Sequence, residues 1–208
     1  MALAYSCGIE AFTDNDHLAS VLYSWGVRAV FDVRNRSEIQ RTPNAGPTWL
    51  RELFFRHGMY YEDMSKGFSL DVTERKFLTA KGYVNMREYR RSLAFTENVK
   101  KLKKMMDDGV TVCLLGYHND YRACHRFLLG FPLLEDGIDL LHLRPAGYDP
   151  LPQSAAEREK MDEEFPVIDQ IALFDMPKES DEDRRNKLYD LLNKQFGLKW
   201  MEEGGKTK

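Results

Sequence analysis

The sequence predicts an α/β fold, with a mainly parallel sheet of about five strands and helices on both of its faces. Three observations predict it. Short apolar, β-branched runs alternate with segments of helical periodicity through the first 145 residues, the pattern of consecutive βαβ units. One run, Val110–Gly116 (VTVCLLG), is apolar at nearly every position, as a strand covered on both faces would be. Proline opens and glycine closes Pro47–Gly58, the asymmetry of helix ends.

Taken in order, Leu3–Cys7 reads as a short strand. Asn15–Trp25 carries Leu18, Val21, Leu22 and Trp25 on one helical stripe and stops at Gly26. Arg28–Val33 (RAVFDV) is a second strand, and Asn35–Gln40 a polar loop after it. Pro47–Gly58 is a helix and Met59–Glu62 a third, short strand. Gly67–Tyr83 has no clear periodicity and reads as a long excursion over the site. Phe95–Gly109 is an amphipathic helix, and Val110–Gly116 is the strongest strand. Tyr121–Phe131 is a helix cut short by Pro132, and Ile138–Leu143 is the last strand. These elements make one three-layer, Rossmann-like domain over residues 1–150. A strand order of 3-2-1-4-5 is expected, because it sets the strands that end in charged residues side by side.

Beyond a break at Asp149–Pro152 comes a C-terminal helical extension, residues 151–208, packed on the domain or projecting from it. It holds a charged stretch (Glu157–Glu164), an apolar segment (Phe165–Phe174) and a helix from about Asp181, with Ser180 as its N-cap. Its last five residues, GGKTK from Gly204, are expected to fray. The extension carries 10 basic and 14 acidic side chains, so the chain's net charge of -3 belongs to it.

The composition is 43% hydrophobic and 30% charged, which excludes a disordered chain and a membrane bundle. No apolar run approaches the ~20 residues that span a bilayer, and no basic-then-apolar leader opens the sequence. A pI near 6.0 argues against a general nucleic-acid coat. Three cysteines, Cys7, Cys113 and Cys124, are too few for a disulfide scaffold, so a cytoplasmic, reducing setting is expected.

Ligands of open α/β sheets bind beyond the carboxyl ends of the strands. The first strand is followed by Gly8-Ile9-Glu10, and the second ends in Asp32-Val33-Arg34. The strongest strand is followed by Gly116-Tyr117-His118-Asn119-Asp120 and then Cys124-His125-Arg126. With Arg41, these elements in this order resemble the bacterial domain-of-unknown-function family 488 between about Tyr5 and Leu143. The resemblance implies an α/β fold and a site, and carries no activity with it. The family often has a cysteine then an acidic residue at the end of the fourth strand; here Gly116 and His118 stand there. A mechanism built on two thiols is therefore not expected.

The first functional expectation is an enzyme or ligand-binding domain for an anion: a nucleotide, a phosphate compound or a nucleic-acid end. Arg126 and Arg34 would hold the anion. Arg41, Arg122, Tyr117 and His118 would lie around it, with Arg122 and Arg126 on one helix face near an N-terminus. His125, with Glu10 or Asp32, would move a proton. The second expectation is thiol chemistry, sulfur transfer or redox, at Cys124, whose thiolate would gain from the helix N-terminus and its basic neighbours. Against it stands the stripe of Cys124, Phe127, Leu128 and Phe131, at the spacing of a buried helix face. The third is a non-enzymatic interaction module docking through the extension. The basic run from Arg87 to Lys104 reads as a solvated face ahead of a phosphate-binding one. No metal and no cofactor are expected, because adjacent side chains of a helix diverge by ~100° and Cys124 and His125 would not share an ion.

Overall fold

The computed structural model describes residues 2–12, 14–144, 149–167 and 179–203. In chain order the elements are β1 (Ala4–Gly8), α1 (Asn15–Ser24), β2 (Ala29–Asp32), α2 (Arg36–Gln40), α3 (Pro47–Arg56) and β3 (Tyr60–Asp63). There follow a kinked turn α4 (Ser65–Phe68), α5 (Met86–Tyr89), α6 (Leu93–Asp107), β4 (Val112–Gly116), α7 (His125–Glu135), β5 (Leu141–His142), β6 (Leu151–Pro152), α8 (Gln153–Glu164) and α9 (Asp181–Glu203). The apolar segment expected over Phe165–Phe174 lies mostly outside the described residues, as do the five terminal ones.

The strands form one six-stranded sheet in the order β3-β2-β4-β1-β5-β6. All neighbours are parallel except β5 and β6. This corrects the expected order: β4, not β1, pairs with β2. The reason is burial. Val112 and Leu114 face one core while Cys113 and Leu115 face the other, all four without exposure, so the most apolar strand takes the middle of the sheet. The exchange still leaves β2, β4 and β1 adjacent, so their carboxyl ends share a rim.

Three layers result. Leu18, Leu22, Leu50, Leu53 and Phe54 of α1 and α3 pack with Tyr5, Val30 and Cys113 on one face. Phe95, Val99 and Leu102 of α6, Phe127 and Phe131 of α7, and Leu188, Leu192 and Phe196 of α9 pack with Phe31, Val112 and Leu114 on the other. The connection after β1 passes over one face and that after β4 over the other, which opens a switch point between these two strands.

Two local expectations are overturned. Asn35–Gln40 is a helix rather than a loop: Asn35 Oδ1 accepts from the Glu38 amide, and Glu38 Oε2 accepts from the Asn35 amide. This reciprocal cap starts a helix that has little hydrophobic periodicity. Tyr121–Phe131 is not one helix. Tyr121–Ala123 is a separate 3-10 turn capped by Asp120, and α7 runs from His125 through Pro132 to Glu135. Cys124 between them is extended, with φ −118° and ψ 142°.

Helices α8 and α9 pack on the α/β layers. Gln153 receives the buried His142 through Oε1 and donates to Phe127 O and to Glu157. Arg185 of α9 then binds Glu157 and Glu135. No helix among the described residues is long and apolar enough to cross a membrane.

Candidate functional site

The site is built where β4 ends. Gly116 is its last residue, and a Cβ there would lie 2.9 Å from Cys124 Sγ and 3.1 Å from an Arg126 guanidinium nitrogen. Only glycine lets the sulfur and the guanidinium close over the strand end. Gly8, paired with Gly116 in the sheet, has the same role for the next loop: a Cβ would meet His118 O at 1.8 Å.

Arg126 is fully buried. Its terminal nitrogens donate to His118 O (2.5 Å) and Asn119 O (2.9 Å), and its Nε has no partner. Arg126 thus folds the β4–α7 loop back across the end of the sheet. Cys124 Sγ then lies 3.9 Å from His125 Nδ1. The other imidazole nitrogen, Nε2, donates to Val33 O at 2.8 Å and ties α7 to the end of β2. Glu38 Oε1 comes within 3.8 Å of the same Nδ1.

Glu38, Cys124 and His125 are all buried, and their donor atoms lie within 4.8 Å of one another. This overturns the expected divergence of Cys124 and His125. That argument required both to be helical, and the extended backbone at Cys124 turns its side chain back toward His125.

The charges are mutually dependent. Burial pushes the Cys124 thiol up, but Arg126 and His125 outweigh it and bring it down to about 5. Burial pulls the His125 imidazole down, but the Cys124 thiolate and the Glu38 carboxylate outweigh it and raise it to about 9. Burial raises the Glu38 carboxyl, opposed by His125. Both directions favour the Cys124 thiolate and the His125 imidazolium as a coupled pair beside the Arg126 guanidinium.

A small cavity of ≈ 20 Å³, room for about one water, lies against this cluster. Asn35 and Glu38 from α2, His118, Ala123 and His125 from the β4–α7 segment, and Phe196, Lys199 and Trp200 from α9 line it, with Leu70 from the long excursion. Lys199 Nζ bonds His118 Nε2 (2.9 Å) and Ala123 O (3.2 Å), and Trp200 Nε1 donates to Asp71 (2.9 Å).

The sequence-predicted residues divide. Cys124, His125 and Arg126 converge at the end of β4, and His118 adjoins them across the cavity. Glu10 reaches this rim through His118 Nδ1 (3.2 Å) and the Asn119 amide (3.3 Å). Asp32 and Arg34 do not reach it. They are buried against each other, Arg34 giving two bonds to Asp32 and others to Thr42 and Ala45 O, while Tyr61 donates to Asp32. Arg41 lies over the Tyr117 ring at 6.0 Å. Arg122 is exposed and pairs with Asp120, so it does not share a face with buried Arg126; the break at Cys124 separates them. Sequence reasoning missed Glu38, Lys199 and Trp200. The Asn35-x-x-Glu38 capping pattern was the available signal for the first.

A family model described as a domain of unknown function, DUF488, matches residues 16–130, more than half of the sequence. The chain belongs to the DUF488 family. The match covers β2, α2, β4 and the start of α7, so Glu38, His118, Cys124, His125 and Arg126 lie within it, while Glu10, Lys199 and Trp200 lie outside. No curated protein matches the chain. Among solved structures it is similar to a crystal structure of a kinase-associated phosphatase whose catalytic-site cysteine is replaced by serine, at 15% identity and a TM-score of 0.41 over 93% of this chain and 84% of that one.

Proposed function

We propose that this DUF488 domain does thiol chemistry at Cys124, with His125 as its acid–base partner. The observation that carries this reading is the 3.9 Å approach of Cys124 Sγ to His125 Nδ1, with Arg126 packed over the same strand end. A thiolate is the nucleophilic form of cysteine, and adjacent cations maintain it. The reactant is a small molecule with a weak bond to a sulfur or oxygen leaving group: a disulfide, a persulfide or a hydroperoxide. The thiolate sulfur forms the new bond as the old one breaks, and the departing sulfur or oxygen takes the pair of electrons and the proton from His125. The cavity reaches Glu38 and His125 but not the buried Cys124, so a reactant meets the sulfur only when covering side chains or the end of α9 move. The three free, buried cysteines support a reducing, cytoplasmic setting.

The anion reading has one feature in its favour, the unpartnered Nε of Arg126. Arg34 lends it less support, since four of its five guanidinium N–H groups are bonded to Asp32, Thr42 and Ala45 O.

Alkylation of the native chain in chelator, read by mass spectrometry, tests the proposal. Cys124 is expected to react before Cys7 and Cys113, faster than free cysteine at neutral pH, and more slowly in His125→Asn. A Cys124 modified only after denaturation would overturn it. Protection of Cys124 by millimolar phosphate would add an anionic ligand to the same site; unchanged alkylation with phosphate present would remove one.

A further inference from the structure

We infer that Glu38, Cys124 and His125 form a binding site for one divalent cation of the zinc type. A carboxylate oxygen, a sulfur and an imidazole nitrogen, three kinds of zinc ligand, lie buried within 4.8 Å of one another. Around zinc such atoms stand ~3.3–3.7 Å apart, given bonds of about 2.0–2.3 Å. Closing the cluster onto an ion therefore needs side-chain shifts of about an ångström or less.

Each ligand is fixed from behind. His125 donates Nε2–H to Val33 O at 2.8 Å, so in the neutral ring the Nδ1 lone pair faces the cluster, the backbone-carbonyl support common for metal-binding histidines. Glu38 Oε2 is held by the Asn35 amide at 2.8 Å, which leaves Oε1 for the ion. Cys124 is turned inward by its extended backbone. The facing atoms meet at 3.8 and 3.9 Å, the first too long for a normal hydrogen bond between nitrogen and oxygen. A cation satisfies all three at once.

Charge and donor chemistry narrow the ion. Thiolate and carboxylate together balance a double positive charge, while Arg126 beside Cys124 opposes it. Both anionic ligands are therefore needed. A mixed sulfur, nitrogen and oxygen set favours zinc or cobalt over magnesium or calcium. The cavity against Glu38 and His125, ≈ 20 Å³, has room for one water as the fourth ligand. Three protein ligands with one open position form the arrangement of reactive rather than purely structural zinc sites. The inference goes beyond the reactive-thiol proposal: it uses the same sulfur but requires no reaction at it.

The experiment is titration of the chelator-treated full-length chain with cobalt(II), followed optically and by metal content after desalting. The wild type is expected to take up one cobalt per chain with a near-ultraviolet thiolate-to-cobalt band. Cys124→Ser is expected to lose the band. Glu38→Gln keeps its bond to the Asn35 amide, so it is expected to fold as the wild type does by circular dichroism and to bind at least about tenfold more weakly. A wild type with no band and no retained cobalt would overturn the inference. So would a band that survives Cys124→Ser, which would trace to Cys7 or Cys113, or a Glu38→Gln variant of unchanged affinity. Alkylation in chelator is unaffected by these outcomes, so the failure of one proposal is distinguishable from failure of the other.

Discussion

His142 sits without exposure between β1 and α8. Its Nε2 donates to Gln153 at 2.7 Å, its Nδ1 accepts from Ser6 at 2.6 Å, and its ring stacks on Tyr121 at 4.4 Å. One neutral tautomer satisfies both bonds, and a proton has no place there. Burial, reinforced by Arg126, pulls its pKa down to about 3. The unfolded chain takes up that proton near pH 6.5, while the folded chain remains neutral far below it. Stability is therefore whole above pH 6.5 and falls as pH drops toward 3. The limiting slope is about 1.4 kcal/mol per pH unit from this group. Urea denaturation is expected to show the wild type losing about 2 kcal/mol more of its unfolding free energy between pH 7 and 5 than His142→Gln loses; an equal loss in both would place the acid sensitivity elsewhere. The contrast with His125 is one of neighbours. Both rings are buried, but His125 faces a thiolate and a carboxylate and gains a proton, whereas His142 faces a hydroxyl and an amide and loses one. The local sequence supplies Cys124 beside His125, whereas Glu38, Ser6 and Gln153 arrive from elements far along the chain.

At the level of elements, the end of α9 lies across the candidate site. Lys199 and Trp200 hold it there through His118, Ala123 O and Asp71. Access to Cys124 then depends on how often this turn lifts, and a helix end joined by a few part-exposed hydrogen bonds opens at low cost. Removing those bonds lowers the cost of opening by about 1.4 kcal/mol. Lys199→Ala combined with Trp200→Ala is therefore expected to speed alkylation of Cys124 by about tenfold, with the unfolding midpoint lowered by only a few degrees. An unaltered rate would mean that reagent enters by another route. The long excursion shows how the site recruits irregular chain: Asp71 accepts from both the Arg36 amide and Trp200, and so joins the start of α2 to the end of α9. The helices and strands with clear periodicity, α1, α3, α6 and β4, fall close to where the sequence places them. The short α2 was missed because two polar side chains define it, and the single helix expected over 121–131 was wrong because no helical stripe reveals one extended residue at Cys124.

For the molecule as a whole, α8 and α9 complete the core. Leu188, Tyr189, Leu192 and Phe196 of α9 are buried in the same apolar cluster as α6 and α7. Arg185 links α9 to Glu157 and Glu135, and Asn193 bonds the backbone of Val84 and Met86. Removing residues 151–208 would uncover the side of α7 that α8 and α9 cover, where Phe131 stacks on Tyr189 at 5.1 Å and Phe127 O accepts from Gln153. The full chain is expected to unfold in one cooperative transition, and the truncated chain to aggregate or to bind a hydrophobic dye. A soluble, cooperatively folded 1–150 fragment would instead make the extension a separate unit. Sequence by itself determined the α/β class, most of the elements and the cluster Cys124-His125-Arg126, because apolar period, end caps and glycines act over a few residues. Only the tertiary structure decided that β4 lies between β2 and β1, that Asp32 binds Arg34, that Glu38 arrives beside His125 and that Lys199 arrives beside His118. Those pairings depend on which faces become dry when layers of the sheet and helices close, and a linear spacing holds no record of that.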